Sequence, residues 1–194
     1  MRAATLTSLP SSSSDTIAEL LQRVSVLEQK ARSAPDTNAL CIVVFSGELD
    51  RLLASFVIAT GAAACGMKVS MFFTFWGTAA LKKKGPQSPG KTLVEKMFGW
   101  MLPGGFDKRK LSKLDMGGMG RMMMAREMKK KNVSDLPTLI ALAQELEVQL
   151  YICEMSMSLM GIRREELIED PNMKQCGVAH FLTLASEANT TLFI

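Results

Sequence analysis

The sequence predicts an α/β fold with a mainly parallel sheet, and two patterns along the chain support this prediction. Continuous apolar runs rich in β-branched residues, such as the one over 39–45, are typical of parallel strands covered on both faces. Segments in which apolar residues recur about every 3.6 positions, such as the one that begins at Leu49, lie between these runs and predict helices. Strands and helices that alternate in this way indicate a parallel sheet with helices on its faces.

Residues 1–36 differ in composition from the rest and are assigned to a disordered tail and an amphipathic helix. Residues 1–15 are rich in Ser, Thr and Pro, a composition typical of disorder. Thr16 and Glu19 have the spacing of a capping box, which predicts that a helix begins there. Its apolar residues follow at steps of three and four: Ile17, Leu20, Val24, Leu27 and Ala31. This seam is short, so the helix either packs on its own domain or assists oligomerisation.

Residues 37–194 are assigned to one α/β domain, and its first elements form a strand–helix–strand unit. The strand over 39–45 is followed by the helix from Leu49, which we expect Gly66 to end, and by a second buried strand over 68–75. The stretch over 52–67 carries no charge, but Gly66 and the lysine that follows soon after interrupt the apolar run. A membrane span needs about 20 continuous apolar residues, so a buried helix followed by a buried strand explains the pattern better.

The second half of the domain contains an insertion at about 78–133 that matches no simple element. A segment this long inside a compact domain is usually functional or partly helical. Beyond it, Ser134 or Asp135 caps a helix that has Pro137 in its first turn. The predicted elements that follow are a strand over 148–152, helices over 154–160 and 177–187, and a strand over 190–194. We expect Gly161 to end the first of these two helices.

Composition and charge exclude several functional classes. The net charge of +4 is far below that expected of a nucleic-acid-binding protein. His180 is the single histidine, which excludes a His-rich metal site. The sequence has no GxGxxG after a strand, no Walker A motif, no HExxH and no nucleophile elbow. No secretory signal is recognisable, so we expect a cytoplasmic protein with reduced cysteines. We also expect that the protein uses neither a cofactor nor a metal.

Cys153 is the first candidate for chemistry because of its position. It follows a predicted strand and precedes a predicted helix, and in open parallel sheets ligands bind outside the carboxyl ends of the strands. The N–H groups and the positive dipole end of that helix favour the thiolate, whereas the adjacent Glu154 opposes it. On position alone, Cys153 is either a reactive thiol or a small apolar residue that completes the strand.

Cys176 and His180 form the second candidate. Cys176 lies at or before a helix N-terminus, and His180 follows four residues later, where it can share the same face. This spacing allows an activated Cys–His pair or a resolving thiol; the alternative is a histidine buried on an amphipathic helix. Cys41 in a core strand and Cys65 at a helix C-terminus are interpreted as structural.

The insertion is also rich in methionine and in basic residues. Its eight methionines from Met97 to Met128 suit Cu(I) ligation, an adaptable flap or simple core filling. We favour a mobile apolar flap over 93–128 that shelters the reactive cysteine. The basic clusters at 82–84, 108–110 and 129–131 are interpreted as solvated loops, with docking of an acidic partner or of membrane headgroups as the alternative.

Three segments carry a family resemblance: GAAACGMKVSMFFTFWG at 61–77, LDMGGMG at 114–120 and CEMSMSLMGI at 153–162. They resemble the DsrE/DsrF-like sulfur-carrier family, in its longer branch with a Met/Gly-rich insertion. The resemblance implies a flavodoxin-like three-layer domain that forms homo- or hetero-oligomers. It also implies that the family's sulfur-bearing cysteine corresponds to Cys153, whereas Cys176 has no counterpart in the family pattern.

The function that this resemblance implies is that of a sulfurtransferase or sulfur carrier. Cys153 would accept sulfane sulfur as a persulfide from a TusA-like or rhodanese-type carrier and pass it to an acceptor thiol. One alternative is a thiol redox protein that uses Cys153 and Cys176, which requires Cα atoms within about 7 Å. Another is a non-catalytic oligomeric assembly module, favoured if Cys153 is fully buried with no route to solvent. We expect a homo-oligomer and no nucleic acid partner, with peripheral membrane contact through the insertion as an alternative role.

Overall fold

Five strands in the described part of the chain form one parallel sheet. The computed structural model describes residues 13–32, 36–106 and 109–194. The strands are β1 (Asp36–Val44), β2 (Lys68–Phe73), β3 (Gln149–Cys153), β4 (Met173–Cys176) and β5 (Ala188–Phe193), in the order β4-β3-β2-β1-β5. Every pair of neighbouring strands is parallel. The predicted α/β fold with a parallel sheet is confirmed.

Helices connect these strands. The chain divides into two compact units, residues 1–35 and 36–194. The helices of the described residues are α1 (Ser13–Arg32), α2 (Leu49–Ala64), α3 (Trp76–Ala80), α4 (Leu93–Met101), α5 (Met119–Lys130), α6 (Leu136–Glu145), α7 (Glu154–Met160) and α8 (Val178–Glu187). Asp135 caps α6 by accepting a hydrogen bond from the Thr138 N–H, as predicted. Gly66 and Gly161, just past α2 and α7, adopt φ values of 81° and 61°, which confirms the predicted helix ends.

Apolar side chains cover both faces of the sheet, and this is why its inner strands have continuous apolar sequences. On one face a large cluster joins the sheet to α2 and α6 and includes Ile42, Phe56, Phe73, Leu136 and Leu150. Residues one position away in the strands point to the other face. There a smaller cluster joins the sheet to α8 and includes Cys41, Val43, Phe72, Tyr151, Cys153, Cys176 and Phe181. Helices on both sides of the sheet give the three layers of the predicted fold.

The helix α1 begins earlier than predicted. It is already helical at Ser13, so Thr16 and Glu19 lie inside it and the prediction that they cap its start is wrong. Inside a helix, backbone N–H groups find partners in the preceding turn and need no capping side chain. The disorder predicted up to residue 15 is therefore wrong for 13–15, and residues 1–12 lie outside the described part of the chain.

The sequence did not reveal β4. Its exposed Lys174 and Gln175 separate the buried Met173 and Cys176, so it lacks the continuous apolar run of an inner strand. Edge strands commonly carry such polar residues because they oppose pairing with other chains. The predicted limits of the first two strands also shift: β1 begins at residue 36 instead of 39, and β2 ends at 73 instead of 75.

The insertion is partly helical. Its α4 begins with a capping box in which Thr92 Oγ1 accepts from the Glu95 N–H and Glu95 Oε2 accepts from the Thr92 N–H. Met124 and Met128 of α5 pack against the large cluster, so these two methionines fill the core. The exposed methionines of the insertion are Met97, Met101, Met116, Met119, Met122 and Met123.

Two of the basic clusters contain buried cations. The predicted solvated loops are therefore wrong for Lys82 and Arg109, which are 5% and 7% exposed. Lys82 Nζ donates to the Leu102 carbonyl at 2.8 Å, and Arg109 donates to the Ala79 carbonyl. These partners are remote in sequence, so the charge pattern alone did not indicate them. None of the helices in 13–32, 36–106 and 109–194 is long and apolar enough to cross a membrane.

Candidate functional site

Cys153 is the last residue of β3 and the N-cap of α7. Its backbone is extended, with φ −67° and ψ 113°, and the helix begins at the next residue. β3 is held between β2 and β4, and the Gly161 turn ends α7 at Met160. The predicted position of Cys153, between a strand end and a helix start, is confirmed. A residue there is held by the sheet on one side and faces free helix N–H groups on the other.

Hydrogen-bond donors converge on the Cys153 thiol. Burial raises the pKa of this thiol, but the side chain and backbone N–H of Ser156, the side chain of Thr74 and the backbone N–H of Met155 lower it by more. The pKa of Cys153 therefore lies below the ordinary value of a cysteine. Met155 and Ser156 occupy the second and third positions of α7, so their free N–H groups lie at the helix start beside Cys153 and favour negative charge on its sulfur.

Two hydroxyl groups and a backbone N–H organise these donors. Thr74 Oγ1 and Ser156 Oγ lie 3.1 Å apart, and either can donate to the other. The Phe75 N–H donates to Ser156 Oγ at 2.9 Å. Each hydroxyl carries one hydrogen, so when one of them donates to the other, the hydrogen of the second hydroxyl is left for the cysteine sulfur.

Phe75 holds this arrangement through an unusual backbone conformation. Its φ of 44° and ψ of −120° lie in a region that residues with a side chain rarely adopt, at a cost of about 1–3 kcal/mol. Its ring contacts the Phe45 ring, with centroids 5.4 Å apart. This turn places the Phe75 N–H within hydrogen-bond distance of Ser156 Oγ.

Cys153 is 4% exposed, and the smaller cluster shelters it. Phe72, Tyr151 and Phe181 of that cluster lie on the α8 side of the sheet. The insertion was expected to form this shelter, but its Phe98 and Leu102 pack against the large cluster instead. The insertion comes near the site through α4, which contacts α7, the helix that Cys153 caps.

Cys176 is the cross-strand neighbour of Cys153. The two residues pair in the register of β3 and β4, and neighbouring strands lie about 4.8 Å apart. Burial raises the pKa of Cys176 to about 11, and the nearby charges of Cys153 and Glu154 act in the same direction. Cys176 is therefore protonated at neutral pH, although it directly precedes the N-cap of α8.

His180 is exposed on α8 and not buried as the alternative interpretation expected. Its ring lies against the Tyr151 ring, with centroids 5.3 Å apart and planes inclined by 57°. Within the part of the chain that the structure describes, no hydrogen bond joins His180 to Cys176. The structure therefore places Cys176 beside Cys153 but forms no Cys–His pair.

The other two cysteines have different surroundings. Cys41 lies in the middle of β1, where burial raises its pKa to about 11 despite a hydrogen bond from the Ile42 N–H. Cys65 is exposed at the C-cap of α2. Among the described residues, no group of three or more His, Cys, Asp or Glu side chains is arranged to hold a metal ion.

Sequence reasoning missed Thr74 and Ser156. Ser156 follows Cys153 by three positions, a Cys-x-x-Ser spacing in which the third residue of a helix reaches back to the N-cap, as in a capping box. This spacing was available as a signal. Thr74 follows β2, and its approach to Cys153 depends on the pairing of β2 with β3, which the sequence alone does not fix.

One protein-family model, described as the DsrE/DsrF/DrsH-like family, matches residues 36–193. The chain belongs to this family. The match covers all five strands and the site around Cys153, so the predicted membership of a DsrE/DsrF-like family is confirmed. The helix α1 precedes the matched DsrE-like region.

Two curated relatives match most of the DsrE-like chain. The uncharacterized protein YrkE of Bacillus subtilis (strain 168) is 46% identical over 158 residues, which cover 81% of this chain and 98% of YrkE. The sulfur carrier protein DsrE2 of Allochromatium vinosum is 35% identical over 171 residues, which cover 82% of this chain and 99% of DsrE2. Among solved structures, the ychN protein from E. coli is 10% identical with a TM-score of 0.49, over 81% of this chain and 100% of that protein.

Proposed function

We propose that this chain is a sulfur carrier that holds sulfane sulfur as a persulfide on Cys153. The observation that carries the proposal is the set of donors from Ser156, Thr74 and Met155, which lowers the pKa of Cys153 although the residue is buried. The thiolate is the nucleophilic form of cysteine, and an ordinary thiol is mostly protonated at neutral pH. Similarity to the sulfur carrier protein DsrE2 over nearly all of its length agrees with this proposal.

The loading step is a displacement at sulfur. The Cys153 thiolate attacks the outer sulfur of a donor persulfide, R–S–SH, and forms a new S–S bond. The S–S bond of the donor breaks, and R–S⁻ leaves with its electron pair, so Cys153 becomes Cys153–S–SH. Unloading repeats the same exchange, since an acceptor thiolate attacks the outer sulfur and the Cys153 thiolate leaves. The total oxidation state of sulfur does not change, so neither step needs an oxidant or a reductant.

The donors around Cys153 serve both the free and the loaded form in this proposal. Ser156 and Thr74 stabilise negative charge on sulfur, which favours attack in one direction and departure of the Cys153 thiolate in the other. The shelter of Phe72, Tyr151 and Phe181 protects the reactive sulfur from water and oxidants.

The partner that this chemistry requires is a second protein or small molecule with an accessible persulfide. A TusA-like or rhodanese-type carrier is the class that the family resemblance implies. Cys153 is 4% exposed, so we expect the partner to displace part of the neighbouring surface before the two sulfurs meet. Homo-oligomerisation and a cytoplasmic location stay predictions.

Intact-mass measurement after loading tests the proposed function. The full chain is exposed to a persulfidated TusA-like carrier and, separately, to a small persulfide, and the excess donor is removed before weighing. We expect the mass of one added sulfur atom in the wild-type protein and in Cys65→Ser, the matched control with an exposed cysteine. Cys153→Ser should gain none. A wild-type protein that gains no sulfur, or a Cys153→Ser variant that gains as much, would contradict the proposal.

The register of β3 and β4 favours a second candidate function, a thiol redox protein that uses Cys153 and Cys176. These residues are paired neighbours, so their Cα atoms meet the distance that this alternative requires. The raised pKa of Cys176 opposes it, because this thiol is protonated at neutral pH. Mild oxidation followed by peptide mapping distinguishes the two functions: a Cys153–Cys176 disulfide that forms faster than persulfide loading would favour the redox role.

A further inference from the structure

The insertion contains three buried cations, and one of them forms an ion pair with a buried carboxylate. Lys82, Lys91 and Arg109 are 5%, 6% and 7% exposed. Lys91 Nζ forms an ion pair with Glu166 at 2.6 Å, and both side chains are buried. Lys82 lies within electrostatic range of Glu166, Lys91 and Arg109, so the four side chains form one cluster. Among the described residues Glu166 is the carboxylate of this cluster, and the cluster keeps an excess of positive charge.

Arg109 forms no ion pair with a carboxylate of the described residues. Its Nη2 donates to the Ala79 carbonyl at 2.5 Å. Its Nε is buried and has no hydrogen-bond partner in the described part of the chain. Burial lowers the pKa of Arg109 to about 10, and no charge within 13–32, 36–106 and 109–194 offsets this effect. A buried guanidinium without an anion is unfavourable, and a bound anion would remove that cost.

Arg109 lines a cavity of about 780 Å³ beside the carboxyl end of β1. Strands β2, β3 and β4 follow on one side of β1, whereas β5 lies on its other side, so the strand order reverses at β1. In open parallel sheets, ligands bind at such a reversal, outside the carboxyl ends of the strands. The volume lies within the range of about 300–1,000 Å³ that is typical of sites for small organic ligands.

The cavity walls combine aromatic surface with positive charge. The residues that provide this surface and charge are Phe45, Trp76, Trp100, Arg109 and Lys110. One wall is tightly built, since a Cβ on Gly47 would lie 2.7 Å from the Trp76 carbonyl oxygen. The loop after β1 therefore packs directly on α3.

The acidic residue of the wall is already paired. Glu48 accepts a hydrogen bond from Ser46 Oγ at 2.9 Å and forms an ion pair with Arg51 Nε at 3.0 Å. This leaves Arg109 and Lys110 as the wall cations that form no ion pair with a described residue. Their charge is therefore not neutralised by a described carboxylate, and Lys110 is exposed.

We propose that this cavity binds an organic anion, with its acid group against Arg109 and Lys110 and a flat apolar body against the aromatic rings. A guanidinium forms two parallel hydrogen bonds to a carboxylate, sulfonate or phosphate group, which gives this pairing both strength and orientation. Aromatic faces bind flat apolar groups by stacking and exclude water from the pair. The site is separate from Cys153 and needs no sulfur chemistry.

Tryptophan fluorescence gives a direct readout, because the two tryptophans of the sequence, Trp76 and Trp100, both line the cavity. The probes are benzenesulfonate, its neutral analogue benzenesulfonamide, and inorganic sulfate, each titrated into the full-length chain at constant ionic strength. We expect a saturable fluorescence change with benzenesulfonate and at least about tenfold weaker binding of the other two. The absence of a saturable change with benzenesulfonate, or binding of benzenesulfonamide or sulfate with equal affinity, would overturn the proposal.

Variants assign the binding to these cations. Arg109→Gln should weaken benzenesulfonate binding by at least about tenfold. Lys110 is exposed, so Lys110→Gln should leave the fold intact and weaken binding about threefold. Lys174→Gln on β4, outside the cavity, is the matched control and should bind as the wild type does. Unchanged affinity in Lys110→Gln and Arg109→Gln would overturn the proposal even if the wild type binds. Cys153→Ser should bind as the wild type, which separates this site from the sulfur site.

Discussion

Cys153 and Cys176 are paired neighbours in the sheet, yet their thiols have opposite electrostatic surroundings. Each ends a strand, each precedes a helix, and both belong to the same apolar cluster. The pKa of Cys153 is lowered, whereas the pKa of Cys176 is raised to about 11. Burial acts in the same direction on both, so burial does not explain the difference.

The difference is explained by the donors that reach each sulfur. The hydroxyl and N–H groups of Ser156, the Thr74 hydroxyl and the Met155 N–H each lower the pKa of Cys153, and together they outweigh its burial. For Cys176, burial and the negative charges of Cys153 and Glu154 all favour the protonated form. The position between a strand and a helix is therefore not sufficient to lower the pKa of a cysteine, and the donors around Cys153 make the difference.

The largest expected effect concerns stability at high pH. The pKa of Cys176 is raised from 9.0 to about 11 in the folded protein, so between these values the unfolded chain has lost the proton while the folded chain keeps it. Stability therefore falls as the pH rises through this window, by about 2–3 kcal/mol for this thiol. Denaturant unfolding as a function of pH should show a smaller alkaline loss in Cys176→Ser.

Cys65→Ser, at an exposed position outside the cluster, is the control for this alkaline effect. Cys153 makes the opposite contribution to the pH dependence of stability, because its pKa is lowered. Its contribution is present above the pKa of the unfolded chain and is lost as the pH falls through the lowered folded value. An alkaline loss that is identical in Cys176→Ser and in the wild type would show that the two cysteines do not differ as described.

Ser156→Ala should produce the next largest effect. It removes a hydroxyl donor to the Cys153 sulfur, so the pH midpoint of Cys153 alkylation should rise by about one unit, a tenfold loss of thiolate. Ser158→Ala, on the exposed side of the same helix, is the matched control and should leave the midpoint unchanged. Equal pH midpoints of Cys153 alkylation in the two variants would show that the Ser156 hydroxyl does not lower the pKa of Cys153.

Thr74→Val should act in the same direction with a smaller effect. The Thr74 hydroxyl also reaches Cys153, but two donors from Ser156 have larger effects on this pKa. We expect a loss of thiolate of about threefold, measured by the same titration. Thr74→Ser keeps the hydroxyl and should restore the wild-type midpoint; a midpoint raised equally by both substitutions would indicate a packing effect instead.

Glu154→Gln should have the smallest effect and should act on the other cysteine. The Glu154 carboxylate contributes to the raised pKa of Cys176, after burial and the charge of Cys153. Its removal should lower the alkylation midpoint of Cys176 by a few tenths of a unit, since exposed charges interact weakly through water. A higher alkylation midpoint of Cys176 in Glu154→Gln would show that the Glu154 carboxylate does not raise the pKa of Cys176.

Local signals in the sequence predicted much of the fold. The cap at Asp135, the glycines after α2 and α7 and the apolar runs of β1 to β3 each depend on residues close in sequence. The position of Cys153 followed from two such elements that meet at one residue. Local patterns are sufficient here because helix ends and buried strands are determined by their own residues.

The features that the sequence did not predict depend on contacts between distant segments. β4 is an edge strand whose polar residues give no strand signal. Thr74 reaches Cys153 only because β2 pairs with β3 in one register, and Lys82 and Arg109 are buried because carbonyls of other segments accept their hydrogen bonds. None of these partners is visible in a single sequence.

One measurement tests the central claim most directly: the pH dependence of alkylation at Cys153 and Cys176 in the same folded sample, resolved by peptide mass spectrometry. A single sample gives both cysteines the same reagent, pH and protein stability, so the difference between their midpoints reports their surroundings. The donors around Cys153 predict that it reacts at a clearly lower pH than Cys176, whose pKa is raised to about 11. Equal midpoints, or a lower midpoint for Cys176, would contradict the assignment of Cys153 as the reactive thiolate.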